Sequence, residues 1–286
     1  MIKDLIKLIR VKHWIKNVLI YATMFLSMQI TLQNTLKLTV GFIAFCFMSS
    51  VVYIINDIVD KDKDAKHEVK KNRPIASGRV SVSTAITIAI ILFVVALVLN
   101  YLIDGLNLKL YAILIGYLLL NLAYSLRLKN VVLIDVFCIV VGFILRLYYG
   151  SNISCISVSN YLYLTVMFAS FFLGFGKRRN ELINLKDVAR PILKVYNKSF
   201  LDKSMYVCLA LTVAFYSLWV MTQGGLLFLI SIPLIVLVFF KYSLTIEGES
   251  YGDPVDVVFS DKFLIFLILG YFAILVLALV LQKNIF

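Results

Sequence analysis

The chain alternates long apolar stretches with polar connections over nearly its whole length. Most apolar stretches are about twenty residues long and unbroken, which is the length that a helix needs to cross a bilayer. A transmembrane β-strand would instead show about ten residues of strict apolar and polar alternation. The pattern therefore predicts an all-α, polytopic membrane protein with nine transmembrane helices. The predicted spans are 17–34, 38–56, 80–103, 108–126, 131–149, 159–176, 204–222, 225–241 and 263–282.

The composition supports a membrane protein. Of the 286 residues, 62% are hydrophobic and 15% are charged, and the mean hydropathy is +0.95. Soluble domains contain roughly 45–50% apolar and about 25% charged residues. One core cannot hide such an apolar excess, so a soluble globular protein and a disordered chain are both excluded. The cysteines are scattered, which argues against a zinc site, an iron–sulfur site and a disulfide framework; they are Cys46, Cys138, Cys155 and Cys208.

The charged residues are distributed unevenly among the connections. The net charge is +12, and most Lys and Arg residues fall on one side of the membrane when the spans are drawn as above. The positive-inside rule makes this side the cytoplasm, with the N-terminus inside and the C-terminus outside a cell membrane. The basic excess is thus a topology signal, and we expect no nucleic-acid binding. We expect one transmembrane domain, 1–286, whose active-site face is formed by the polar loops 57–79, 177–203 and 242–262.

The first of these loops begins with a run of acidic residues. If the second span continues as a helix, Asp57, Asp60 and Asp64 lie within an arc of about 60°, with Asn56 to one side and Asp62 pointing away. Three carboxylates on one stripe repel one another unless a cation holds them. Ligands that are all oxygen favour Mg²⁺, which bridges to substrate phosphates when few carboxylates bind it. The stripe therefore indicates a Mg²⁺–diphosphate site.

The residues that follow offer donors to such a diphosphate. Lys70 and Arg73 come within ten residues of the stripe and suit phosphate oxygens. His67 either touches the diphosphate or faces water. The alternative interpretation of the whole segment is a solvated helix end whose acids are neutralised by the lysines between them.

Two further features admit two interpretations each. Arg146 is a charge inside the fifth span, so either it lines a cavity and pairs with an acid or that span is drawn too long. The hydroxyl groups of Tyr53 and Tyr124 either point into a cavity or belong to packing side chains.

The acidic segment also resembles a known family. Its residues match the first signature of the UbiA superfamily of intramembrane prenyltransferases, and they read Asn56-Asp57-x-x-Asp60-x-x-x-Asp64 followed by Arg73-Pro74-Ile75-Ala76-Ser77-Gly78. The resemblance implies a UbiA-type bundle of nine transmembrane helices with a polar cavity that opens to the cytoplasm. This fold agrees with the span count obtained from the apolar pattern alone.

Other segments are similar to one branch of this superfamily, the decaprenyl-phosphate phosphoribosyltransferases. These segments are Arg10–Asn17, His67–Pro74, Tyr124–Lys129, Gly142–Arg146, Gly176–Leu182 and Gly248–Asp256. Ordinary prenyltransferases carry a second acidic motif after the sixth span, whereas this chain has Lys177-Arg178-Arg179-Asn180-Glu181 there. Arg179 and Asn180 depart from the branch, in which Tyr-Ala is frequent at these two positions.

The resemblance implies the substrates and the reaction. A basic loop that faces one acidic motif suits phosphoribosyl pyrophosphate together with a polyprenyl phosphate in the membrane. The enzyme would transfer 5-phosphoribosyl to the lipid, release pyrophosphate and give a β-linked lipid product, a cell-wall precursor in the branch. A homo-oligomer is compatible with this sequence.

The resemblance also implies roles for individual residues. Asp57, Asp60 and Asp64, with Asn56, would hold Mg²⁺ against the pyrophosphate, and Lys70 and Arg73 would stabilise the leaving group. The residues expected to bind the substrates are Lys12, Lys16, Asn17, Tyr53, Asn56, His67, Tyr124, Arg146, Lys177, Arg178 and Glu181.

Two other functions remain as alternatives. A UbiA-type prenyltransferase would move a prenyl group from its diphosphate to an aromatic or other small acceptor. That reaction needs a second acidic motif, and the basic loop 177–190 offers only Glu181 and Asp187, six residues apart. A transporter of anionic metabolites would use a similar basic cavity. It would also need polar groups at the middle of the membrane and on its outer side, where this chain has few.

Overall fold

The computed structural model describes residues 2–66, 70–184, 191–248 and 253–283. In this part of the chain the regular structure is entirely helical. The α-helices are α1 (Ile2–Ile9), α2 (Ala22–Leu26), α3 (Leu32–Val59), α4 (Lys61–Ala65), α5 (Val82–Asp104), α6 (Leu108–Leu126), α7 (Ile134–Ser154), α8 (Asn160–Asn184), α9 (Lys198–Gln223), α10 (Leu226–Glu247), α11 (Pro254–Ser260) and α12 (Lys262–Lys283).

Among the described residues, 7 helices are long and apolar enough to cross a membrane, and they show that the chain is a membrane protein. They are α3, α5, α6, α7, α9, α10 and α12. Several begin at a polar residue whose side chain accepts a hydrogen bond from the first turn, as expected for an N-cap. The residues that cap in this way include Thr31, Ser81, Asn107 and Asn197.

The predicted count of nine spans is not confirmed, because two predicted spans differ from the others. The first, 17–34, is not one α-helix but a 3₁₀ segment, Val11–Tyr21, followed by the short α2. This region is held by polar contacts, because the buried Asn17 donates to Cys46 and Ser49 of α3. The sixth, 159–176, lies in α8, whose apolar centre is flanked by polar residues at both ends.

The helices form two compact units. The first comprises Met1–Lys129 and Leu145–Ser157. Its core is built on α3, which packs against α5 and α6. Phe45 of α3 lies between Tyr117 of α6 and Tyr149 of α7, at ring-centroid distances of 4.7 and 5.3 Å. This packing fixes α3, and α3 carries the first acidic residues of the site.

The second unit comprises Asn130–Ile144 and Val158–Phe286. In it α8 packs along α9, and α10 packs against α12 and α9. Phe172 of α8 contacts Phe239 and Tyr242 of α10 with ring centroids 5.3 and 5.6 Å apart. A Cβ at Gly176 would lie 3.1 Å from the side chain of Ile246 and 3.4 Å from that of Met205. Glycine at this position therefore lets α8 approach α9 and α10 closely.

We expect Gly150→Ala to lower the thermal stability of the protein in detergent. A Cβ at Gly150 would overlap the backbone carbonyl of Ile20, which belongs to the 3₁₀ segment and cannot move independently. Overpacking of this kind costs about 1–3 kcal/mol. The matched control is Gly116→Ala in α6, where no atom lies within 4 Å of the new Cβ. It should leave the melting temperature unchanged or raise it, since the substitution removes backbone freedom from the unfolded chain. Equal melting temperatures for both variants would contradict the proposed close approach at Gly150.

Candidate functional site

The predicted acidic stripe lies where α3 passes into α4. Although α3 ends at Val59, the N–H of Asp60 still donates to the carbonyl of Asn56 at 2.9 Å. The N–H of Asp64 donates to the carbonyl of Asp60 at 2.8 Å. The chain therefore keeps a helical path through the stripe. Asp57 and Asp64 are 2% and 4% exposed, whereas Asp62 is exposed to solvent. This agrees with the predicted orientation of Asp62 away from its neighbours.

One arginine joins the two buried carboxylates. Nη1 of Arg73 donates to Asp57 Oδ1 at 3.0 Å and to Asp64 Oδ2 at 2.6 Å. Two buried carboxylates that lie this close repel each other, and the shared guanidinium compensates this repulsion. Arg73 was predicted to belong to the site, and the structure places it at the centre of this pair.

A second arginine, Arg10, also contacts Asp57. Its Nη2 lies 2.5 Å from Asp57 Oδ1, and its guanidinium stacks over the ring of Tyr53 at 4.8 Å. Arg10 adopts the left-handed backbone conformation, with φ 53° and ψ 50°, between α1 and the 3₁₀ segment. The sequence analysis did not include Arg10 among the site residues. The only signal was its place at the start of the basic segment Arg10–Asn17, since its partner lies 47 residues away.

The remaining members of the stripe contact the end of α6. Nζ of Lys129 donates to both carboxylate oxygens of Asp60, at 2.7 and 2.9 Å, and Lys129 is 7% exposed. Oγ of Ser125 donates to Oδ1 of Asn56 at 3.1 Å. Neither Ser125 nor Lys129 was predicted as a site residue. Ser125 lies in the last turn of α6, and Lys129 lies in the short 3₁₀ segment Leu128–Asn130 that follows it. Their place in the segment Tyr124–Lys129 was the available signal.

The donor set of the stripe fits a hard divalent cation. The side chains of Asn56, Asp57, Asp60 and Asp64 offer only oxygen, which suits Mg²⁺. Among the described residues, however, no group of three or more His, Cys, Asp or Glu side chains is arranged to hold a metal ion. Asp57 and Asp64 come together at Arg73, while Asp60 is paired with Lys129. A pair of carboxylates is sufficient for Mg²⁺ when substrate phosphates and water complete the coordination.

The basic residues at the end of α8 have two different environments. The side chain of Lys177 is 30% exposed, and its Nζ lies 3.5 Å from Asp253 Oδ2. The side chain of Arg178 is fully buried, with its Nε 2.6 Å from Asp135 Oδ2 and a further ion pair to Glu181. Arg178 was predicted to bind a substrate phosphate, but its guanidinium contacts protein carboxylates instead of solvent. Lys177 is therefore the better candidate for a substrate contact.

Asp135 is the centre of a small buried network. Its Oδ2 pairs with Arg178, and its Oδ1 accepts a hydrogen bond from the hydroxyl group of Tyr196 at 2.8 Å. The same hydroxyl accepts from the N–H of Leu133 at 2.8 Å. Burial raises the pKa of Tyr196 to about 12, so this hydroxyl stays protonated and remains a donor to Asp135 at neutral pH. The network joins α7, α8 and the segment before α9.

Arg146 and Asn17 form a second buried group, inside the first unit. Nε of Arg146 donates to Asn17 Oδ1 at 2.7 Å, and its Nη2 donates to the hydroxyl of Tyr117 at 2.8 Å. The guanidinium also lies over the rings of Tyr117 and Phe45, at 4.8 and 5.3 Å. Such contacts offset part of the cost of burying a cation. Both residues were predicted to bind substrate, and the structure places them 5% and 0% exposed among protein groups.

The other predicted residues are divided between the two units. The first unit holds Lys12, exposed, and Lys16, Tyr53, Lys70 and Tyr124, all partly buried. The second unit holds Glu181, also partly buried. His67 lies outside the described residues.

Known proteins resemble this chain in sequence and in fold. The sequence profile of the UbiA prenyltransferase family matches residues 18–268. The chain is 30% identical over 288 residues to the decaprenyl-phosphate phosphoribosyltransferase of Corynebacterium glutamicum. This alignment covers 96% of this chain and 86% of the relative. It is 27% identical to the Mycobacterium tuberculosis protein of the same name, and this alignment covers 96% of this chain and 93% of the relative. A UbiA homolog from Archaeoglobus fulgidus bound to GPP and Mg²⁺ aligns with a TM-score of 0.71 and 20% identity over 98% of both chains.

We expect Arg178→Gln to destabilise the protein far more than Lys177→Gln. Removing the Arg178 charge leaves Asp135 as an uncompensated buried carboxylate, which costs about 3–5 kcal/mol. The partly exposed pair of Lys177 and Asp253 contributes at most about 1 kcal/mol. Denaturation of both variants in detergent measures the difference. If Lys177→Gln unfolds as readily as Arg178→Gln, the assignment of a structural role to Arg178 is wrong.

Proposed function

The chain belongs to the UbiA prenyltransferase family, and we propose that it transfers a 5-phosphoribosyl group from phosphoribosyl pyrophosphate to a polyprenyl phosphate. The similarity to decaprenyl-phosphate phosphoribosyltransferases over nearly the whole chain carries this proposal. The residues at the end of α8 support it further. A site that held a prenyl diphosphate between two acidic motifs would need a second acidic motif there, and this segment has Lys177, Arg178 and Arg179 followed by the acid Glu181.

The acidic stripe would bind the pyrophosphate end of the donor. Asp57 and Asp64, with Asn56 and Asp60 beside them, would hold Mg²⁺. When bound, this ion supplies positive charge that neutralises the departing pyrophosphate. The guanidinium of Arg73 contacts both Asp57 and Asp64, and that of Arg10 contacts Asp57. Donors for phosphate oxygens therefore lie next to the carboxylates that would bind the cation. Such fixed donors stabilise charge that develops on the leaving oxygens.

Lysines would bind the other phosphates of the two substrates. Lys70 lies just before Arg73, whose N–H donates to the carbonyl of Lys70 at 2.9 Å. Lys12, Lys16 and Lys177 are exposed or partly buried, so their ammonium groups are accessible to phosphate oxygens. The polyprenyl phosphate is an anion at neutral pH, so no general base is needed to create the nucleophile. In-line attack on the anomeric carbon inverts it and gives the β-linked product.

The membrane placement completes the proposal. The distribution of Lys and Arg supports an N-terminus in the cytoplasm and a C-terminus outside. We further infer nine spans in one UbiA-type domain. Seven are the long apolar helices, the eighth is the 3₁₀ segment together with α2, and the ninth is α8. The site would open to the cytoplasm, where phosphoribosyl pyrophosphate is soluble.

The proposed reaction can be measured with purified protein in detergent. We expect radiolabel to move from labelled phosphoribosyl pyrophosphate into the organic phase only when Mg²⁺ and a polyprenyl phosphate are both present. Incorporation that instead requires a prenyl diphosphate and an aromatic acceptor, with label on the prenyl group, would assign the alternative prenyl transfer. No incorporation in either assay would reject both enzymatic proposals.

Substitutions in the stripe test which carboxylates act. Asp57→Asn and Asp64→Asn should each lower kcat by about 100-fold or more, since each removes a carboxylate that would hold Mg²⁺ against the departing pyrophosphate. Asp62→Asn is the matched control because it removes an exposed carboxylate from α4, the short helix that also carries Asp64. It should change kcat by less than about threefold. The rate of label transfer at saturating substrates measures all three. Equal losses in the three variants would contradict the selective role of the buried pair.

A further inference from the structure

Three consecutive basic residues at the end of α8 bind three different parts of the second unit. Lys177 lies beside Asp253, Arg178 pairs with Asp135 of α7, and Arg179 pairs with Asp202 of α9. Successive helical residues differ in direction by about 100°, so each partner constrains the rotation of α8 independently. The direction of Lys177 is therefore set in part by the contacts of its two neighbours.

Arg179 contacts both α9 and α10. Its Nε lies 2.5 Å from Asp202 Oδ1, and its Nη2 lies 3.9 Å from Glu247 Oε1. Its Nη1 donates to the backbone carbonyl of Ile246 at 3.5 Å. Arg179 is only 3% exposed, whereas the side chains of its partners Asp202 and Glu247 are 27% and 42% exposed, so the guanidinium is buried and its ion pairs face water on the carboxylate side. One guanidinium thus joins the end of α8 to the start of α9 and the end of α10.

A second observation shows that α8 is held closely at this point. Gly176 precedes Arg179 by one helical turn and faces the side chains of Ile246 and Met205, which would lie only 3.1 and 3.4 Å from a Cβ at this position. The same Ile246 therefore contacts α8 twice, through its side chain at Gly176 and through its carbonyl at Arg179. Close packing and a charged contact act on one face of the helix.

We propose that Arg179 is a positioning residue for Lys177: it fixes the rotation of the end of α8 and so directs the Lys177 ammonium to the place where it meets a substrate phosphate. The part that concerns the substrate rests on the phosphoribosyl transfer proposed above. Arg179 itself contacts carboxylates and a carbonyl of the protein, so it acts through the helix and not on the substrate. A lysine cannot replace it fully, since one ammonium cannot reach all three oxygens in the planar geometry of a guanidinium.

The first test needs no substrate. The rate at which an amine-reactive reagent labels Lys177 is measured by mass spectrometry, with the exposed Lys203 as the internal reference. Arg179→Gln should raise the Lys177 rate relative to Lys203 by about threefold or more, because the end of the helix opens locally. Arg179→Lys should change the ratio less than Arg179→Gln does. An unchanged ratio in Arg179→Gln would overturn the positioning role, whatever reaction the protein catalyses.

The second test is kinetic and asks whether Arg179 acts through Lys177. Arg179→Gln should raise KM for phosphoribosyl pyrophosphate about tenfold and leave kcat within about threefold, as expected when only binding is lost. The double variant with Lys177→Gln should have the KM of Lys177→Gln alone within about twofold, since residues that act as one unit are not additive. If the two increases in KM multiply, Arg179 acts independently of Lys177 and the proposal fails.

Control variants separate this proposal from a general loss of structure. Lys203→Gln removes an exposed positive charge next to Asp202 in the sequence and should leave KM and kcat unchanged. Asp202→Asn keeps Arg179 and its contacts to α10, so it should give a smaller shift in the same direction even if Arg179→Gln does not fold. A wild-type protein that transfers no label rejects the proposed function, and the labelling ratio still decides the role of Arg179.

Discussion

The ion pairs that Arg73 makes with Asp57 and Asp64 are the interaction on which the candidate site depends. Both carboxylates are almost fully buried, and burial of two like charges is tolerated only if a cation stands between them. This contact also joins three successive segments, since Asp57 lies in α3, Asp64 in α4 and Arg73 shortly before α5. The same rule applies to the second unit, where Arg178 and Asp135 are both fully buried and lie on different helices.

The apolar pattern was sufficient to predict most of the helices and failed where polar contacts decide the backbone. Long runs such as Val82–Asp104 lie close to their predicted bounds, because a continuous apolar stretch and a capping residue both act locally. The first predicted span is not one α-helix, since Val11–Tyr21 is a 3₁₀ segment whose buried Asn17 donates to Cys46 and Ser49 of α3. Its sequence contains no local sign of that contact.

The candidate site shows the same division between local and distant information. Helical spacing predicted the orientation of Asp62 away from its neighbours, and the structure agrees. Arg10 and Lys129 were missed because their partners, Asp57 and Asp60, lie 47 and 69 residues away in the chain. A basic run such as Lys177–Arg179 has the same appearance in a sequence whether its charges meet phosphates or buried carboxylates, so the contact of Arg178 with Asp135 could not be predicted. Only the position of Asp135 distinguishes these two cases.

The unequal burial of the ion pairs determines how the protein responds to ionic strength. Dissolved ions screen charges that face water, with a Debye length of only about 3 Å at 1 M salt, and reach buried charges much less. The pair of Asp4 and Arg79, whose side chains are 23% and 44% exposed, weakens in concentrated salt. The pair of Arg178 and Asp135 stays intact under the same treatment. Washing membranes with molar salt therefore weakens the charged contact between α1 and the segment before α5 but leaves the apolar packing of Leu8, Val80 and Ala85 and the interior of the second unit unchanged.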